Sequence, residues 1–277
     1  MEKQPILPFA TAKEALVAKL FAKTVKIPQL DPALRDQMYD LMSNYYDYMA
    51  PDRFVSDLNA KDEVILLFDT AEKRLRGFST LKRVTVTGPN GKPIRAMYSG
   101  DTVVERAFWG QKVLGVEFLK ILWKEKVKNP FQPLYWLLIS KGYKTYLLLA
   151  NNVDTHYPRF EEATPAPMQS SMDKIAVALF GDDYHADQGL VIFKESLGQL
   201  KPGIADVSEA DQTIERAAFF AKKNPTWAKG TELVCIAEMT FMMPVKYAIK
   251  KLWGTQVQPS IRRFSNRITS GLLTERT

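Results

Sequence analysis

Two glycines, Gly110 and Gly115, follow an apolar run ending at Val104, the second of them at the head of the longer run VLGVEFLKILWKEKV. A strand that feeds a glycine-bearing turn and then a helix makes an anion site. The first N–H groups of a helix have no internal partners, and the helix dipole favours negative charge there. Gln111, Lys112, Val113 and Leu114 fill the turn between the glycines, and Lys112 can add a point charge. Just upstream, Asp101 and Glu105 offer carboxylates at the end of the strand. For Glu105 the alternative is an ion pair with Arg106 or a neighbouring strand. His156, in the loop THYPR, can titrate near neutrality, and Arg159 can hold a carboxylate bidentately. Cys235 lies in an apolar run and reads as a buried, inert thiol. One cysteine and two histidines exclude an internal disulfide and argue against a metal site, so no metal is expected.

The elements that position these residues follow from periodicity and breakers. The run Met97 to Val104 reads as a strand, Val113 to Val127 as a helix, Leu134 to Ser140 as a strand, and Tyr143 to Asn152 as a helix. Upstream, Thr11 with Glu14 gives a capping-box signal for a helix through Ile27 that Pro28 stops. Asp31-Pro32 opens a second helix, and DRFVSDLNAKD a short third one. EVILLFD and RGFSTLKRVTV read as strands, and TGPNGKP as a turn centred on Asn90-Gly91. Downstream, QSSMDKIAVALFG reads as a helix, QGLVIFK as a short strand, and the run after Ser208 as a capped helix. ELVCIAE reads as a buried strand that can complete the sheet beside Leu134 to Ser140. The fold class expected is α+β: a mixed, mostly antiparallel sheet flanked by helices, with helical N- and C-terminal additions.

This order resembles the core of the GNAT acyltransferase superfamily. There the turn after the fourth strand holds the pyrophosphate of coenzyme A, or a carrier protein's phosphopantetheine arm, on an Arg/Gln-x-x-Gly-x-Gly/Ala pattern. The match is partial. With Gly115 as the last glycine, Gly110 replaces the Arg/Gln and Val113 the middle glycine. With Gly110 matched to the common Arg-Gly pair, Trp109 takes the arginine, and Lys112 and Leu114 the later glycines. VERAFW is also similar to the Glu-x-x-Arg-Phe region of acyl-homoserine-lactone synthases, although Glu105 and Arg106 are adjacent here. The resemblance spans a third to a half of the chain. It implies N-acyl transfer of a medium or long acyl group, from a CoA or acyl carrier protein thioester to a small amine such as an amino acid. It also implies Glu105 as base with Asp101 as second choice, backbone N–H groups near Val103 and Val104 as oxyanion donors, and Tyr143 or Tyr146 as the acid near the thiolate. The acyl thioester is then a co-substrate, with no tightly bound cofactor.

The 277 residues carry a net charge of +7, and residues 246–277 alone hold seven basic residues against one acid. Residues 1–245 therefore read as the transferase domain: helices over 11–58, a core over 63–150 and a C-terminal part over 168–245. The remainder reads as a basic amphipathic tail. Such a tail suits an acidic carrier protein or the inner face of a membrane. That leaves an alternative of another class, a non-catalytic module of the same fold that binds a membrane or an acidic partner through its basic ends. Few aromatics accompany the basic residues, so nucleic acid is not expected. With no leader-like apolar segment and no membrane-length run, the sequence reads as cytoplasmic.

Overall fold

The computed structural model describes residues 19–246 apart from 89, 195–197, 202–203 and 205–213. Residues up to Met239 form one unit, and Thr240 begins a second. In the first unit the order is β1 (Leu20–Lys26), α1 (Pro32–Ser43), α2 (Pro51–Asn59), β2 (Glu63–Asp69), β3 (Leu75–Thr87) and β4 (Pro93–Val104). There follow α3 (Val113–Lys128), β5 (Leu134–Ser140), α4 (Tyr143–Asn152), α5 (Ala166–Phe180), α6 (Glu215–Lys223) and β6 (Glu232–Glu238). These strands line up in the order β1-β2-β3-β4-β5-β6, and two-residue strands at Leu190–Val191 and Tyr184–His185 extend the β6 side. Every pairing is antiparallel except β4–β5, because α3 carries the chain back across the sheet between them. The sheet is the mixed, mostly antiparallel one expected, flanked by helices.

Over its described residues, one expected helix is a strand. Leu20–Lys26 lies antiparallel to β2 in full register, from Leu20↔Asp69 to Lys26↔Glu63. The apolar, β-branched β2 leaves an open edge. A ladder along that edge satisfies more backbone groups than a lone helix turn would, so tertiary pairing overrides local propensity. The proposed cap at Thr11 and Glu14, the cap at Ser208, and the tail from 247 onward lie outside the described residues.

The side chains of each strand alternate between two apolar layers. On one face α1 and α2 bury Met38, Leu41, Met42, Phe54 and Leu58 against Val64, Leu66, Phe78 and Val103. Asp31 fixes the start of α1 by accepting the Ala33 N–H at 2.8 Å, with Pro32 at the first helical position. Farther along the same sheet, α5 buries Met172, Ile175 and Ala176 against Ile94, Ala96, Tyr98, Leu137 and Ile236. Across the sheet α3 packs Phe118 on Trp136 at 4.8 Å, and α4 packs Tyr146 on Phe220 of α6 at 5.8 Å. Cys235 is fully buried, as expected, and burial pushes its thiol far above the usual range.

Candidate functional site

The β3–β4 ladder is regular up to Leu81↔Ser99 and resumes at Ser79↔Thr102, so Gly100 and Asp101 together oppose Thr80. This is a β-bulge, one extra residue in β4. On the other side of β4 the parallel pairing with β5 ends at Ser99↔Leu138. The two strands therefore part at the bulge. A Cβ on Gly100 would lie 2.7 Å from Thr80 Oγ1 and 2.9 Å from Lys61 Cε, which is why a glycine stands there. The extra residue also shifts the alternation, turning Asp101 toward the α2 side, where Tyr98 and Val103 already point.

A set of charges gathers at this point on the α2 side of the sheet; Lys61 and Glu232 are buried, while the Asp57 side chain keeps 36% of its surface exposed. Lys61 Nζ reaches Asp57 Oδ2 at 2.5 Å and lies 5.9 Å from the Tyr98 ring centroid. The Asp57 and Asp101 carboxyls face each other, with Lys61 alongside. From the β5–β6 side, Lys141 pairs with Glu232 at 3.4 Å, donates to the Gly198 carbonyl at 3.1 Å and lies over Tyr46. Burial, and then the charge of Asp57, push Asp101 up to about 7, against the opposing pull of Lys61 and Lys141. Burial works against ionising Asp57 too, yet Lys61 and the facing Asp101 carboxyl hold it below the usual carboxylate range. Burial raises Glu232, Tyr98 and Tyr46. Thr80 Oγ1 is buried beside Gly100 with no partner among the described residues. A short strap crosses nearby: Gln199–Leu200 pairs with Tyr46–Asp47, Lys201 N–H donates to the Tyr45 carbonyl, and Lys144 Nζ donates to the Ile204 carbonyl.

The residues expected from sequence fall in several places rather than one. Asp101 stands in the charged set. Val103 and Val104 do not flank the bulge; they pair regularly with Phe78 and Gly77, because the extra residue lies nearer the middle of the strand. Glu105 is buried against Arg76, with its carboxylate 3.0 Å from Arg76 Nη1. That is the neighbouring-strand ion pair, and Arg76 also holds Asp69 at 3.0 Å.

The glycine turn is shorter than expected. Gly110 is in it, with φ +88, but Gly115 lies in the first turn of α3. The N–H groups of Val113, Leu114 and Gly115 precede the first intrahelical bond, made by Val116 N–H to the Lys112 carbonyl at 3.0 Å. Lys112 is the N-cap residue, with no side-chain cap. Gln111 turns away from the turn and accepts the Leu20 N–H at 2.9 Å. Trp109 is 43% exposed beside the turn, between Arg106 and Lys144.

Tyr143 is buried at the start of α4. Tyr146, His156 and Arg159 belong elsewhere. His156 pairs with Ala237, at the opposite end of β6 from Glu232 and roughly 16 Å away at the usual rise per residue. The Tyr146 hydroxyl donates to the Pro158 carbonyl and burial raises it, while burial lowers His156, whose Nδ1 contacts the Val153 carbonyl at 2.8 Å. Arg159 is bound to Glu162 and to the Asp154 carbonyl. The residues that sequence reasoning missed are Asp57, Lys61, Lys141 and Glu232. The i,i+4 spacing of Asp57 and Lys61 was the one signal available.

No family model and no curated protein matches the sequence. Among solved structures, the chain is similar to a probable N-acyltransferase of unknown function from Enterococcus faecalis, at 15% identity and TM-score 0.35. That match covers 47% of this chain and spans only 32% of the other. An aminoglycoside N-acetyltransferase in complex with CoA matches at 9% identity over 48% of this chain and 85% of its own, with TM-score 0.35. A Trypanosoma brucei acetyltransferase matches at 13% identity over 53% of this chain and 98% of its own, with TM-score 0.34.

Proposed function

We propose that the protein is an N-acyltransferase that moves an acyl group from a thioester to a small amine, with Asp101 as the base. The observation that carries this is the bulge at Gly100–Asp101. It sets a carboxyl poised at about 7 where β4 parts from β5. A general base works best with a pKa near the working pH. In the reaction, Asp101 takes a proton from the acceptor ammonium and the freed nitrogen attacks the thioester carbonyl. Backbone N–H groups at the bulge are proposed to hold the oxyanion. As the C–N bond forms, the C–S bond breaks and the thiolate takes a proton from Tyr143, at the start of α4, on this reading; the second proton of the attacking nitrogen returns to the tyrosinate, leaving the neutral amide and the free thiol. The donor's phosphates are assigned to the N–H groups of Val113, Leu114 and Gly115, with Lys112 as a nearby positive charge.

We assign a medium or long acyl group and a CoA or acyl carrier protein donor, with a small amine such as an amino acid as acceptor. The same reading keeps 1–245 as the transferase domain and gives the basic tail over 246–277 an acidic carrier protein or a membrane surface to dock on. Support for the base is specific to Asp101, since Glu105 is committed to Arg76. The test is Asp101→Asn, assayed with acyl-CoA and acyl carrier protein donors against a panel of amines. The rate is expected to fall by about 10²–10⁴-fold, and the wild-type acid limb near pH 7 to disappear. A near-wild-type rate in the variant overturns the assignment.

A further inference from the structure

The bulge turns Asp101 to the α2 side, where Lys61 lies against Gly100 and holds Asp57, so two carboxyls face each other across one lysine; they can share a hydrogen bond only with one proton between them. Which carboxyl carries it is set by the surroundings. Asp57 sits in the last turn of α2, four residues before Lys61, whose ammonium donates to the Asp57 Oδ2 at 2.5 Å and to the Asp57 backbone carbonyl at 3.2 Å. Lys61 is itself 8% exposed and packed over Tyr98, so it cannot swing away to solvent without leaving a buried gap. Among the described residues no ion pair within 4 Å joins Asp101 to a lysine; Lys141, the other cation of the set, is paired with Glu232. The groups that face Asp101 are thus Asp57 and Lys61 from α2 and its exit, Tyr98 from its own strand, Lys141 after β5, and Tyr46 from the short strand that pairs with the strap; Glu232 of β6 is paired with Lys141.

We infer that Asp57 is a positioning residue for Asp101. Held charged by Lys61, it accepts the proton-bearing oxygen of Asp101, and so fixes both the orientation of that carboxyl and the pH at which it gives up its proton. The inference rests on Asp101 as the base for its meaning in catalysis, and on the facing carboxyls and Lys61 for its geometry. During turnover the proton taken from the amine would lie on Asp101, facing the Asp57 carboxylate. The anion thereby stabilises the state that follows proton abstraction. A carboxyl raised only by burial would have no such preferred direction for its proton.

The test reads Asp101 directly and needs no substrate. In protein carrying ¹³C at the aspartate carboxyl carbons, Asp101 is assigned as the signal lost in Asp101→Asn, and should titrate near about 7. In Asp57→Asn the anion is replaced by a neutral amide, and the Asp101 midpoint should fall by about one unit or more. In Lys61→Met both carboxyls stay and the cation goes, and the midpoint should rise. An Asp101 midpoint unmoved in Asp57→Asn overturns the inference. If Asp57→Asn fails to fold, an unmoved or lowered midpoint in Lys61→Met does the same. If the midpoint moves as stated while Asp101→Asn still transfers acyl groups at the wild-type rate, the carboxyl pair stands and the base assignment falls.

Discussion

Replacing Arg76 by methionine should cost the fold a large and pH-dependent part of its stability. The Arg76 side chain is 8% exposed, and its partners Asp69 and Glu105 are 2% and 5% exposed, both at 3.0 Å. A third contact, to Glu72 at 3.2 Å, is half in solvent and adds little. Methionine keeps the aliphatic length and removes the cation from both buried carboxylates. Breaking a buried pair from one side costs about 3–5 kcal/mol. At about 2–4 °C per kcal/mol for a domain of this size, the melting temperature should drop by roughly 6–20 °C.

The sign of the pH dependence follows from Asp69. Burial opposes its ionisation, but the Glu72 N–H and Arg76 hold it below the usual range. Its contribution is therefore present above the unfolded value and lost as pH falls through the lower folded one. Without Arg76, burial gains weight and the folded value rises. Protonation then relieves the variant while it still costs the wild type. The deficit should shrink between pH 7 and about pH 4. Urea unfolding followed by circular dichroism at both pH values measures it. A deficit under about 1 kcal/mol at pH 7, or one that does not change with pH, refutes the ion network as the anchor of this corner.

Burial holds His156 below its ordinary 6.5, so the unfolded chain binds a proton there that the folded one refuses. Stability should fall as pH drops below about 6.5, and His156→Leu should flatten that slope in unfolding curves taken from pH 7.5 to 5; an unchanged slope assigns it to other groups. Gly110 has φ +88 and open space around it, so Gly110→Asp should cost only about 1–2 kcal/mol of strain while setting a negative charge beside the N-terminus of α3. Binding of acyl-CoA should weaken several-fold with the far-ultraviolet spectrum preserved, and an unchanged affinity in a folded variant removes that turn from the donor site.

Most of the sheet was legible because its strands are apolar runs between breakers. EVILLFD, LYWLLIS and ELVCIAE fall on β2, β5 and β6. Helices whose entry is marked by proline, as at Pro32 and Pro51, were legible too. Leu20–Lys26 was not, because its conformation is dictated by the edge of β2, more than thirty residues away. At the site, Asp101 could be singled out by its place at the end of a strand, but its partners could not. Asp57, Lys141 and Glu232 come from α2, the exit of β5 and the start of β6, and no local pattern links them. Glu105 reads as a candidate base because sequence shows a charge and not its partner. Arg76, on the adjacent strand, is what commits it.

The placement of β6 bears on how the chain is made. β5 and β6 are neighbours in the sheet, yet about a hundred residues separate them in the chain. A ribosome adding about 5–20 residues per second leaves the β5 edge waiting some 5–20 s for its partner. Through that interval LYWLLIS presents unpaired backbone and apolar side chains, the composition most prone to pair with another nascent chain. Yield in a cell should then depend on translation speed across residues 141–238 and on chaperone supply, even for variants whose finished fold is as stable as the wild type.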